Sequence, residues 1–131
     1  MQRTSARVIA ALIALLTLSN SLMTILLPES QVATTQLTPE SVTGWSTFRV
    51  AVGAPFLMSG LFAAFAALRA RKDALVPIVV FFACVVFARF VGLVAEGGDP
   101  RVFQMTTLAV VILAAASGAH FLFGKAEEAH A

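Results

Sequence analysis

Two arginines interrupt stretches that otherwise read as chain made for lipid: Arg49 in FRVAVGAPFLMSG and Arg89 in FFACVVFARFVGLVAEGGDP. An arginine at a helix centre costs roughly 2.5–3.5 kcal/mol on insertion, against a gain of roughly 0.3–0.6 for each Leu, Ile, Phe or Val. Apolar neighbours can offset that cost, so the spans survive, but each guanidinium should face the bundle or a hydrated cavity. Arg89, Gly92 and Glu96 follow i, i+3, i+7 spacing and share one helical face. Glu96 lies about 10 Å further along the axis, which places Arg89 below a membrane surface. Arg49 opens a span near that same surface, and each arginine is followed by a glycine, Gly53 or Gly92, that permits close approach. Paired guanidinium forks suit phosphate or carboxylate groups. One expectation is therefore a small electropositive pocket built from Arg49, Arg89, Asn20 and Gly92, taking a lipid head group or a prenyl phosphate. The rival expectation is internal satisfaction. Glu29, Glu40, Glu96 and Asp99 lie on the same side, loop carbonyls are at hand, and Arg89 could snorkel to phosphate level.

Other chemistry is thinly supplied. His120 and His130 are isolated from acid or cysteine partners, so no metal site is expected. No Ser-His-Asp grouping follows from order alone, and no catalytic residue is assigned. A general acid or base would have to come from Glu40, Glu96 or Asp99, which stand at loop edges. The single cysteine, Cys84, excludes an internal disulfide and reads as a buried, inert thiol. The net charge of +2 with no basic face gives no case for nucleic acid.

The elements that must position these residues are membrane helices. The composition is 59% hydrophobic and 12% charged, with mean hydropathy +0.89. That is too little polar material to cover a water-facing surface. Four stretches, approximately 8–27, 48–68, 74–95 and 102–123, each reach the roughly 20 apolar residues of a span. They predict a four-transmembrane-helix bundle, one membrane domain over 1–131. Arg3, Arg7, Arg69, Arg71, Lys72 and Lys125 flank the ends that the positive-inside rule assigns to the cytoplasm, with both termini inside. The first span, long and without a small-x-small cleavage site, is expected to be a true span rather than a signal peptide. In the first outer loop Thr38-Pro39-Glu40 offers a cap, a proline and an acid, and predicts a short interfacial helix. Trp45 suits the aromatic belt, and Gly97-Gly98-Asp99-Pro100 forms a stopping turn.

Helices in lipid associate through small residues and polar contacts. Ala10, Ala14, Thr17, Ser21 and Thr24 make one stripe, with Asn20 beside it; Gly53 and Gly60 share a face; Ala114–Ala119, including Gly118, is a run of small residues. All are expected to pack helices. Pro55 and Pro77 can kink theirs. Phe81, Phe82, Phe87 and Phe90 read as lipid-facing or packing surface.

Taken together, FRVAVGAPFLMSG, the basic turn after it, and ARFVGLVAEGGDP resemble a family of small four-helix bacterial membrane proteins known only as a domain of unknown function, number 4345. The resemblance covers about Phe48 to Phe123. It implies a four-helix bundle of a bacterial inner membrane and supplies no activity. Members often carry an acid in the last span, where this chain has Gln104, Thr106 and Thr107. The resulting expectation is a non-catalytic membrane protein that binds a lipid head group or other anionic amphiphile. The alternatives are a small accessory subunit of a larger membrane complex and an enzyme on a membrane-embedded, phosphate-bearing substrate. No cofactor is expected beyond a bound phospholipid or prenyl phosphate. The expected partners are membrane lipids, with a larger complex or a homo-oligomer as further options.

Overall fold

Small residues at helical spacing set the first contact of the bundle. In α1 (Gln2–Leu26) the buried side chains are Ala6, Ala10, Ile13, Ala14, Thr17, Ser21 and Thr24, one stripe along one face. Leu12, Leu15, Leu22 and Met23 point outward, as suits lipid. Thr17 and Thr24 donate their hydroxyls to the carbonyls of Ile13 (2.7 Å) and Asn20 (2.9 Å), so both enter the contact without an unpaired donor. The computed structural model describes residues 2–35, 39–97 and 100–129; the side chains of residues 33, 34, 96 and 101 also lie outside the described set.

After α1 a short helix, α2 (Glu29–Thr35), follows Pro28. The next helix, α3 (Val42–Arg69), is capped by Ser41, whose hydroxyl accepts from the Gly44 N–H at 3.0 Å. The loop helix expected to begin at Thr38 thus begins at Val42 and runs on into the span. Pro39 and Glu40 precede its cap, and Thr38 lies outside the described residues. A π-helical turn, Arg49–Gly53, interrupts α3, with the Ala54 N–H reaching back to the Arg49 carbonyl. Pro55 follows at once. Its ring nitrogen has no proton to donate, so the α-helical ladder must break there, and the wide turn absorbs the break.

Gly53 and Gly60 lie where α3 crosses α1. A Cβ on Gly53 would stand 2.7 Å from Ile25 Cγ1, and one on Gly60 would stand 2.5 Å from Leu18 Cγ. Ser21 donates to the Gly53 carbonyl at 2.9 Å across the same contact. The ends of this pair exchange arginines. Arg7 Nε, near the start of α1, donates to the Ala67 carbonyl at 2.8 Å, and its Nη2 lies 3.4 Å from the Leu68 carbonyl. Arg49 Nε, early in α3, donates to the Ile25 carbonyl at 3.0 Å. Each thus supplies a cation and a donor to carbonyls in the other helix's last turn, which lack intrahelical partners.

A 3-10 turn, Lys72–Leu75, leads into α4 (Val76–Glu96), with Pro77 tolerated in its first turn. Gly97, at φ 87°, ends α4 in a conformation that favours glycine. Gly98 and Asp99 lie outside the described residues, and α5 (Pro100–Glu128) begins at Pro100, earlier than the expected residue 102. Its buried face is Ala109, Ile112, Ala116, Ala119, Phe123 and Ala126. Gly118, expected to pack, is turned away from that face: it is exposed, with nothing within 4 Å of a Cβ placed there. Its neighbour Ala119 takes the contact instead. Cys84 also departs from expectation, being exposed on the outside of α4. Of the phenylalanines, Phe82 is core, whereas Phe87 and Phe90 face outward.

Around the bundle the order is α3, α1, α5, α4: α1 packs on α3 and α5, and α5 packs on α4. Four helices are long and apolar enough to cross a membrane. One end carries the described start of α1, the 70–71 turn and the close of α5, tied by Lys72 Nζ to Glu127 Oε2 at 2.7 Å; we call it the terminal end. The other, the loop end, carries α2 and the start of α3. Closure between α3 and α4 is uneven. Near the terminal end α3 meets the 3-10 turn, and further along Phe56 meets Phe81 and Phe82 edge-on. Nearer the loop end, among the described residues, the π-helical turn packs on α1 and α3's own neighbours and not on α4.

Candidate ligand cavity at the loop end

That uneven closure leaves a cavity of about 370 Å³ inside the loop end. Every helix contributes to its wall. α1 supplies Asn20; α2 supplies Gln31 and Thr35; α3 supplies Val52 and Phe56; α4 supplies Phe82, Val85 and Arg89; α5 supplies Met105, Leu108, Ala109 and Ile112. Chain direction orders these residues in depth. Along α4, Arg89 stands seven residues nearer the loop end than Phe82; along α5, Met105 stands seven nearer than Ile112. The polar residues Asn20, Gln31 and Arg89 therefore sit toward the loop end, and the deeper wall is apolar.

Arg89 is partly buried, and its Nη2 lies 3.5 Å from Met105 Sδ. A thioether is a weak acceptor, whereas a guanidinium has five N–H donors. Among the described residues no carboxylate pairs with it: the salt bridges are Arg71–Asp73 and Lys72–Glu127, both at the terminal end. The Asn20 amide likewise has no side-chain hydrogen bond among the described residues, yet no buried side-chain polar atom is left orphaned, so it opens into accessible space. Arg89 also borders a second cavity, of about 400 Å³, with Val85, Ala88, Gly92, Gly97 and Val102. Gly92 lines this second space, with no atom within 4 Å of where a Cβ would be. It is a gap beside Arg89, not a point of helix contact.

The sequence-derived residues thus separate. Asn20 and Arg89 share the inner cavity, and Gly92 adjoins Arg89 in the outer one. Arg49 lines neither: it is exposed and bonded to the end of α1. Glu40 is exposed. Asp99, the Glu96 side chain and His130 lie outside the described residues. Sequence reasoning passed over Gln31 and the apolar depth of the cavity. The signal for α2 was present, since a proline followed by an acid marks a helix start, and Pro28-Glu29 is such a pair.

A role at a helix end gives Arg49 its own expected result. Arg49→Ala should lower stability in detergent by about 1 kcal/mol, the usual worth of one hydrogen bond, reduced by exposure and raised by charge. Thermal unfolding against the parent protein measures it.

The chain matches, over residues 5–126, the family described as "Domain of unknown function (DUF4345)". Neither the curated proteins nor the solved structures gave a match.

Proposed function

From a chain that belongs to the DUF4345 family, whose description carries no activity, function has to be read off the cavity, and we propose that this is a non-catalytic membrane protein that holds an anionic amphiphile there. One observation carries the reading: a guanidinium borders a cavity of ligand size among four apolar helices, with a thioether as its partner and no carboxylate beside it among the described residues. Ligand pockets span about 300–1,000 Å³, mostly apolar with a few polar groups to fix orientation. An ionisable residue within a membrane helix is costly and usually marks function. The polar-to-apolar gradient suits a head group toward the loop end and a tail below it.

The distribution of cations supports a direction. Arg3, Arg7, Arg69, Arg71, Lys72 and Lys125 gather at the terminal end; Arg49, Arg89 and Arg101 belong to the loop end. The terminal end accordingly faces the cytoplasm of an inner membrane, and the cavity lies in the opposite leaflet.

Native mass spectrometry of the protein released from mild detergent tests the binding. The parent protein should retain an additional mass of lipid size. Arg89→Ala should lose it, a drop in occupancy of about tenfold or more, as expected when a charge-assisted contact is removed. Arg49→Ala should keep it. A parent protein with no retained mass, or a mass that survives Arg89→Ala, overturns the reading.

A further inference from the structure

We propose that the cavity selects its occupant by length and by charge: a single-chain amphiphile with one negative charge and an apolar part shorter than a membrane acyl chain. This rests on the binding role above and names its ligand class. The length limit comes from the floor. Phe82 is 2% exposed and Ile112 is 4% exposed, and both close the deep end. Phe56 meets Phe82 edge-on with ring centroids 6.2 Å apart, and Phe81 meets Phe82 at 5.1 Å. Such a cluster is a stiff plug, held by ring packing as well as by area.

Two helices give the same depth independently. Arg89 to Phe82 and Met105 to Ile112 are each seven residues, which is about 10 Å along a helix axis. Half of a bilayer's hydrocarbon core is about 15 Å, the reach of a membrane lipid's chain. A cavity of about 370 Å³ with that depth encloses a shorter tail and has no room for two.

The charge limit comes from the polar end. Among the described residues one guanidinium, from Arg89, shares this end of the wall with two neutral amides, Asn20 and Gln31. Arg49 is turned to the Ile25 carbonyl and lies outside this wall. A second negative charge would find no second cation to match it among the described residues, so its share of the desolvation cost in this partly enclosed wall would go uncompensated. A carboxylate or a phosphodiester fits this end; a phosphate monoester does not.

The test offers a homologous series of saturated fatty acids, from short to membrane length, to the detergent-solubilised protein, with occupancy read by native mass spectrometry. Occupancy should peak at a chain shorter than membrane length. Ile112→Ala and Phe82→Leu, which lower the floor, should move the peak to longer chains. Val85→Phe, which raises it, should move the peak to shorter ones. The alkyl phosphate of equal chain, doubly charged above its second pKa of about 6, should bind about tenfold more weakly than the carboxylate. Circular dichroism confirms that each variant is helical before it is scored. Occupancy that rises steadily to membrane length, or a peak unmoved in every folded variant, overturns the length limit. Equal binding of carboxylate and alkyl phosphate overturns the charge limit. If no fatty acid binds while the protein's own retained mass still depends on Arg89, the single-chain inference fails and the binding role stands. If neither binds through Arg89, both fail.

Discussion

Gly60→Val should remove a large part of the bundle's stability, by about 3 kcal/mol, at the upper end of what overpacking usually costs. Even a single Cβ at this position would lie 2.5 Å from Leu18 Cγ, 2.7 Å from Leu18 Cδ2 and 3.0 Å from Thr17 Oγ1. Leu18 could swing aside, but Thr17 is held by its own hydrogen bond to the Ile13 carbonyl. A branched side chain would therefore push α1 and α3 apart rather than find a gap. Separation has wider consequences, because the Ser21 bond to the Gly53 carbonyl and both arginine caps span the same two helices. Gly118→Val is the matched control. With open space around it, that change should stay within about 0.5 kcal/mol. Thermal unfolding of both variants in one detergent settles the comparison, and equal losses would remove the α1–α3 contact from its central place.

The contrast between those glycines shows what sequence can and cannot carry. Ala10, Ala14, Thr17, Ser21 and Thr24 were legible as a contact face because their spacing fixes a helical phase, and all are buried. Gly53 and Gly60 had a phase too. Gly118 sat in a run of six small residues, and a run has no phase, so nothing in it distinguished the face toward α1 from the face toward lipid. Arg49 failed to declare itself for another reason. Its partner is a backbone carbonyl, Ile25, which any residue type would have supplied. Only the crossing of α1 and α3 brings the two together, and Gly53 and Gly60 stand at that crossing.

The cavity was half legible. Following the face of Arg89 toward the loop end gives Gly92 and Glu96; following it the other way gives Val85 and Phe82, at i−4 and i−7. The same phase that placed the cation also named the floor. What sequence could not show is that α3 stands off from α4 near the loop end, leaving that face open to space instead of to another helix. A π-helical turn ahead of a proline lies in α3 where it stands off, and neither the turn's register nor its direction is written in residue type.

Arg89→Leu should stabilise the protein while emptying it. Exchanging an arginine for a leucine in a membrane helix changes insertion by about 3–4 kcal/mol at the centre. Arg89 lies toward the loop end and borders accessible space, which lets the cation reach water or head groups and shrinks the gain to about 1–2 kcal/mol. Few folded-state contacts oppose the change, since the described hydrogen bond is to the Met105 sulfur alone. Leucine should also fill part of the cavity wall beside Val85 and Met105. Retention of an anionic amphiphile, by contrast, loses the one cation that the described residues place in the cavity wall. Stability and binding should therefore move in opposite directions, the pattern of a residue kept for what it holds rather than for what it supports. A structural arginine behaves otherwise: its removal would strand a partner and lower the melting temperature. Thermal unfolding of Arg89→Leu, read beside native mass spectrometry of the same preparation, separates the two. A fall in melting temperature of several degrees would assign Arg89 to the scaffold, and the cavity would then lack the group that makes it a site.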